Sequence, residues 1–106
     1  GVEILAKSSD IDIGERTMFS RGITVRNHDS HLIFAKGGTE QINQPRDIII
    51  GDHVWVGQNA TILKGVEIGR DSVIAFGSVV TKGCLPNSIV AGNPATVVKE
   101  NIDWNY

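Results

Sequence analysis

The sequence has few of the residues that crosslink or fill most small folds. Its 106 residues include one cysteine, Cys84, so no disulfide can form within the chain. Three Phe, two Trp and one Tyr are too few to fill a core, which must therefore be built from aliphatic side chains. Only three prolines accompany twelve glycines, a composition typical of tight corners rather than of a disordered chain. These counts predict one small all-β domain over residues 1–106.

Long runs of like charge and long apolar runs are also missing. The formal net charge is −2 at pH 7, and without a basic stripe nucleic acid is not expected as a partner. No apolar stretch is long enough to span a bilayer and no secretory signal is recognisable. Together with the lone cysteine, this predicts a cytoplasmic protein. The chain begins at Gly1 rather than methionine, and the sequence leaves open whether that start is truncated.

What the sequence does contain is a repeat of six residues. This period fits neither an amphipathic helix nor a two-sided strand. It fits a triangular coil of three six-residue faces, in which a β-branched residue points inward from each face and a small residue occupies the corner. Such coils stack as parallel strands about 4.8 Å apart. The repeat positions are Ile13, Phe19, Val25, Ile50, Val56, Ile62, Ile68, Ile74 and Val80.

Two segments carry a resemblance to a known family. The stretch IGDHVWVGQNATILKGVEIGRDSVIAFGSVVTKG and the closing LPNSIVAGNPATVVKE resemble the hexapeptide-repeat acyltransferases, in particular the galactoside, maltose and surface-polysaccharide O-acetyltransferases. The resemblance implies a left-handed parallel β-helix, a homotrimer with active sites between subunits, and acetyl-CoA as the acyl donor. The left hand follows from the resemblance alone, because the crossover rule favours the right hand.

The repeat is interrupted between Val25 and Ile50. The gap of 25 residues is interpreted as one eighteen-residue coil plus seven extra residues, which predicts a protruding loop within about residues 27–47. At the other end of the chain, the tail over about residues 97–106 is expected to form a short helix anchored by Trp104.

Two histidines lie at the mouth of the predicted loop. Imidazole is the side chain best suited to proton transfer near neutral pH. The resemblance implies a catalytic histidine here, and His31 is favoured over His28 because His28 stands where the polysaccharide enzymes usually have serine. Asp29 has two interpretations of equal weight: it orients an imidazole, or it is an ordinary turn aspartate.

The resemblance also implies where acetyl-CoA binds. In the family the pantetheine arm runs along the groove between neighbouring helices and contacts corner residues of the last coils. Phe76 departs from the family pattern, which has a small residue or Asn at that position. No metal is expected. The positions that match the donor site are Gln58, Ala75, Phe76, Gly77, Thr81, Lys82 and Lys99.

Two other functions remain as alternatives. One is a non-catalytic trimeric scaffold built from the same repeat. The other is a metal enzyme resembling γ-class carbonic anhydrase, which needs three imidazoles around zinc and would have to use His28, His31 and His53. The acceptor, and whether an oxygen or a nitrogen is acylated, are left open by the sequence.

Overall fold

The computed structural model describes all residues, 1–106, and contains strands but no helix. No helix long and apolar enough to cross a membrane is therefore present. The strands are short because each forms one face of a coil and ends at a corner. In chain order they are β1 (Val2–Leu5), β2 (Ile11–Ile13), β3 (Met18–Phe19), β4 (Ile23–Arg26), β5 (Ile48–Ile50), β6 (Trp55–Val56), β7 (Thr61–Ile62), β8 (Glu67–Ile68), β9 (Val73–Ile74), β10 (Val79–Val80), β11 (Ile89–Gly92) and β12 (Ala95–Lys99).

The strands stack into three parallel sheets around a triangular core. Sheet A is β1-β4-β7-β10, sheet B is β2-β5-β8, and sheet C is β3-β6-β9-β11, to which β12 adds one antiparallel edge strand. From β1 to β10 successive strands visit sheets A, B and C in turn, so each round forms one coil. In the last coil an isolated bridge of Cys84 to Ile68 replaces the strand of sheet B, and β11 returns to sheet C. The fold is a left-handed parallel β-helix, as predicted, and its principal extents are 50 × 24 × 19 Å.

The repeat positions form the core. The six from Ile50 to Val80 are at most 1% exposed, which confirms that the branched residue of each hexapeptide points inward. Because Ile62 pairs with Val80 and Ile50 with Ile68, each buried residue lies directly against its equivalent one coil away. The residues four positions after each repeat position are buried as well: Val54, Ala60, Val66, Ser72 and Ser78.

Glycines allow the coils to approach closely at the corners. A Cβ placed on Gly69 would lie 2.3 Å from the backbone nitrogen of Pro86, and one on Gly51 would lie 2.7 Å from that of Arg70. No side chain fits at those distances, so the predicted small corner residues are required by coil-to-coil packing.

The interruption is larger than predicted. Val25 pairs with Ile62, 37 residues further on, whereas Ile62 pairs with Val80 after 18. The difference of nineteen residues lies between β4 and β5, which are adjacent faces of one coil. The interpretation as a full coil plus seven residues was therefore wrong, because no coil exists inside the gap and all of the extra chain belongs to the loop.

The C-terminal tail forms no helix, which corrects the prediction. After β12, residues 100–106 run in extended form back along the corner between sheets B and C. We call this segment the C-terminal strap. The amide of Ile102 donates to the carbonyl of Asn87 at 3.0 Å in the last coil, and the Tyr106 hydroxyl donates to the carbonyl of Arg16 at 2.8 Å in the first. Three coil steps span about 14 Å, whereas a helix of seven residues would rise only about 10 Å.

Candidate active site

A small cavity of about 150 Å³ lies where the loop leaves the corner between sheets A and B. His28, Asp29 and His31 all line it, so the structure brings the three predicted catalytic residues together. The base of the loop is held by Asn27, which is fully buried. Its side chain accepts from the Lys7 amide at 2.9 Å and donates to the Ser9 carbonyl at 2.9 Å. The loop therefore starts from a fixed point of the first two coils.

Beyond the cavity the loop folds back on itself as a short hairpin. The amide of Ile42 donates to the carbonyl of Ile33 at 2.8 Å, and Phe34 forms an antiparallel bridge with Gln41. Gly37, with a φ of 79°, provides the left-handed residue of the tip. The hairpin carries exposed apolar side chains at Leu32, Ile33, Phe34 and Ile42.

Asn43 organises the cavity and was not among the predicted site residues. Its side-chain nitrogen donates to the Asp29 carboxylate at 3.0 Å and to the His31 carbonyl at 2.8 Å, while its oxygen accepts from the Ile33 amide at 2.8 Å. Asn43 is buried, so these bonds are shielded from water. Nothing in the local sequence distinguishes it from the other polar residues of the loop, because its partners follow from the hairpin and not from spacing.

Asp29 forms an ion pair that was also not foreseen. The ammonium of Lys64, which comes from the next coil, donates to the Asp29 carboxylate at 2.6 Å. The hydrogen bond from Lys64 lowers the pKa of Asp29, and the bond from Asn43 adds to this against the opposing effect of burial. The carboxylate bonds to Lys64 and Asn43 and to no imidazole in this structure, so the predicted Asp29–imidazole pair is not formed.

Removing the Lys64 charge should raise the pKa of Asp29. In Lys64→Met the main cause of the lowered pKa is gone, so the carboxyl should titrate closer to the ordinary aspartate range, measured by carboxyl ¹³C NMR. Because the folded-state pKa is depressed, Asp29 stabilises the fold at neutral pH, and this contribution is lost as the pH falls below about 4. The variant should therefore lose less stability in acid than the parent. Lys36→Met, at the hairpin tip, serves as the control. An equal change in the pKa of Asp29 in both variants would contradict Lys64 as the main cause of the lowered pKa.

The two histidines at the cavity differ in their hydrogen bonds. Nδ1 of His28 accepts from the Ser30 amide at 3.1 Å, so in the neutral ring the proton is assigned to Nε2. The Nδ1 lone pair of His28 is therefore already used in the hydrogen bond from Ser30. The exposed imidazole of His31 has no hydrogen bond to the protein, and its backbone is held by Asn43. His31 is therefore the imidazole with a lone pair available to accept a proton.

Three of the predicted donor-site residues line one groove of about 440 Å³ at the corner between sheets C and A. Gln58, Ala75 and Phe76 form its walls together with Trp55. Phe76 is 71% exposed, which is unusual for an aromatic side chain and leaves its ring open to a ligand. Gly77 lies beside the groove at a left-handed corner, with a φ of 68°, and its amide donates to the Gln58 carbonyl at 2.8 Å.

The other predicted donor-site residues lie elsewhere on the protomer. Lys99 is on sheet C, where it pairs with Ile89. Thr81 and Lys82 follow β10 at the corner between sheets A and B, which is also the corner of the histidine cavity. Within one protomer the structure therefore does not bring Thr81 and Lys82 to the groove of Gln58 and Phe76.

Comparison with known proteins shows what this chain is similar to. Residues 47–82 match the family described as bacterial transferase hexapeptide (six repeats). The polysialic acid O-acetyltransferase of Escherichia coli O1:K1 is 42% identical over 98% of the chain and 34% of its own length. The chain carries a hexapeptide repeat like that of these transferases.

Solved structures of acetyltransferases agree with the fold. The polySia-specific acetyltransferase NeuO superposes with a TM-score of 0.96 at 42% identity, over 100% of this chain and 49% of that one. A hexapeptide-repeat acetyltransferase of Vibrio cholerae O1 biovar eltor, complexed with acetyl coenzyme A, has a TM-score of 0.73 at 31% identity, over 93% and 53%. This hexapeptide-repeat chain thus spans about a third of the Escherichia coli relative and about half of each solved structure.

The third histidine of this hexapeptide-repeat chain lies away from the cavity. His53 occupies the corner between sheets B and C, where its Nδ1 is 2.8 Å from the Asp71 carboxylate and its ring stacks on Trp104. The one group of residues close enough together to hold a metal is His53, Asp71 and Asp103, and it contains neither His28 nor His31. Within one protomer the three histidines of the carbonic anhydrase alternative therefore do not come together.

Proposed function

We propose that this protein is an acetyl-CoA-dependent O-acetyltransferase that acts on a hydroxyl of a sugar or glycan, with His31 as the general base. The observation that carries the proposal is the imidazole of His31, free of hydrogen bonds at the cavity where the repeat is interrupted. The hexapeptide transferase match over residues 47–82 and the similarity to O-acetyltransferases support the same reaction.

In the proposed reaction His31 accepts the proton of the acceptor hydroxyl while its oxygen attacks the thioester carbonyl of the donor. The thiolate of CoA leaves, and no covalent intermediate on the protein is needed. Asn43 contributes by fixing the His31 backbone, and Asp29 with Lys64 fixes Asn43. The protein thus supplies mainly orientation of the two substrates.

The charge around the cavity favours an acidic sugar as the acceptor. Lys7 lines the cavity, and Arg26 lies at the start of the loop, where its Nε donates to the His28 carbonyl at 3.0 Å. The Asp29 carboxylate is neutralised by Lys64. Basic groups of this kind suit a carboxylated sugar. A relative that is named for polysialic acid supports this choice.

We further propose that the active site forms between protomers of a homotrimer. The histidine cavity and Lys82 lie at the corner between sheets A and B, while Gln58 and Phe76 lie at the corner between sheets C and A. A donor groove that uses the residues of both corners needs two copies of the chain. The exposed apolar hairpin could bury its side chains against the neighbouring copy. The cytoplasm stays the predicted compartment.

The proposal is tested by measuring thiol release from acetyl-CoA with purified protein and a panel of acceptors. We expect release with sialic acid oligomers, less with neutral galactosides, and less again with amino sugars that offer a nitrogen. The donor and acceptor should follow sequential kinetics rather than ping-pong kinetics. Binding of CoA without transfer to any acceptor would instead support the non-catalytic scaffold, and preference for an amino sugar would overturn O-acetylation.

A further inference from the structure

The C-terminal strap places a buried tryptophan on the corner between sheets B and C. Trp104 is 8% exposed, and its ring lies parallel to the imidazole of His53, with centroids 4.0 Å apart and an interplanar angle of 8°. Its indole nitrogen donates to the His53 carbonyl at 2.8 Å. The His53 ring is itself held by Asp71. Trp104 is therefore held by stacking on one face of its ring and by the hydrogen bond from its indole nitrogen.

Trp104 also touches the back of the proposed donor groove. Its ring centroid is 6.0 Å from that of Trp55, at an angle of 44°, which is within the range of favourable aromatic pairs. Trp55 lines the groove together with Gln58 and Phe76, and it is 38% exposed. The strap therefore lies against Trp55, a large groove side chain that is also partly exposed to solvent.

We propose that the C-terminal strap is a positioning element for this groove, in which Trp104 holds the indole of Trp55 in the orientation that forms the groove wall. The inference rests on the proposed function only for the identity of the groove's ligand. Trp104 itself lines neither the groove nor the histidine cavity, so it acts through Trp55.

The expected effect follows from the cost of ordering a side chain. Without Trp104, the half-exposed Trp55 would sample several rotamers, and a ligand would have to order it again on binding. An aromatic pair contributes about 0.5–1.5 kcal/mol beyond its buried area. Its loss should raise the KM for acetyl-CoA by about two- to tenfold. The kcat should stay within about twofold, because Trp104 does not line the cavity that holds the proposed general base.

The composition of the chain allows a direct observation of Trp55. Trp55 and Trp104 are its only tryptophans, so in protein labelled with 5-fluorotryptophan the ¹⁹F spectrum of Trp104→Ala or Trp104→Phe contains a single resonance. We expect the Trp55 resonance to be sharp and dispersed in Trp104→Phe, where a ring remains in the stack. In Trp104→Ala it should move toward the position of a solvated indole. Leu85→Ala removes an exposed apolar side chain outside the groove and is the control.

The two readouts separate the inference from the proposed function. If the wild type releases no thiol and binds no CoA, the proposed function fails, while the ¹⁹F spectra still decide whether the strap fixes Trp55. A Trp55 resonance unchanged in Trp104→Ala, with an unchanged KM in an active enzyme, would overturn the inference. Circular dichroism checks folding, and Trp104→Leu, which keeps apolar bulk without a ring, carries the test if the alanine variant unfolds.

Discussion

Replacing His31 with alanine is expected to reduce acetyl transfer by about 100- to 10,000-fold while leaving the affinity for acetyl-CoA unchanged. The reason is that His31 carries the free imidazole at the cavity, whereas it does not line the groove of Gln58 and Phe76. The measurement is kcat from thiol release together with the Kd for CoA from calorimetry.

His28→Ala is the matched control, since it removes the neighbouring imidazole, whose Nδ1 is engaged by the Ser30 amide. Its kcat should fall by less than about tenfold, as expected for a residue that shapes the loop without transferring a proton. The larger loss of kcat is therefore expected in His31→Ala. The reverse pattern would transfer the role of base to His28.

The second large effect is on stability. Ile50→Ala should lower the free energy of unfolding by about 2–5 kcal/mol, because Ile50 is 1% exposed and packs against its equivalents on both neighbouring coils. The same substitution at Ile49, one residue earlier on β5 and 41% exposed, should cost less than about 1 kcal/mol. Urea denaturation followed by circular dichroism measures both values.

The pair is informative because both variants lose the same atoms from the same strand. In a β-strand adjacent residues face opposite sides, so only the inward one should leave a cavity. Equal losses at low protein concentration would contradict the inward orientation of the repeat. If the loss at Ile49 grows with protein concentration, that face is covered by another copy of the chain.

The period of six was enough to predict the core but not the size of the loop. A hexapeptide pattern identifies which residue points inward on each face, and the burial of Ile50 through Val80 follows from it. It does not say which of the three faces comes next after an interruption. The gap from Val25 to Ile50 is compatible with several whole numbers of faces, and only the pairing of Val25 with Ile62 decides among them.

The candidate site was predictable where residues are neighbours in sequence. His28, Asp29 and His31 lie within four positions, so a shared cavity followed from the loop itself. Asn43 and Lys64 escaped prediction because they reach Asp29 from fourteen and 35 residues away, through the hairpin and through the next coil. Trp104 was predicted as the anchor of the tail, but its contact with His53 was not, because 51 residues separate the two.

The path of the C-terminal strap affects how the protein unfolds. In a simple solenoid each coil touches only its neighbours, so the ends can fray one coil at a time. Here the bond from Tyr106 to Arg16 and the bond from Ile102 to Asn87 connect the first coil to the last. Neither end can open without detaching part of the strap. The protein should therefore unfold as a single cooperative unit, although its architecture is that of a linear stack.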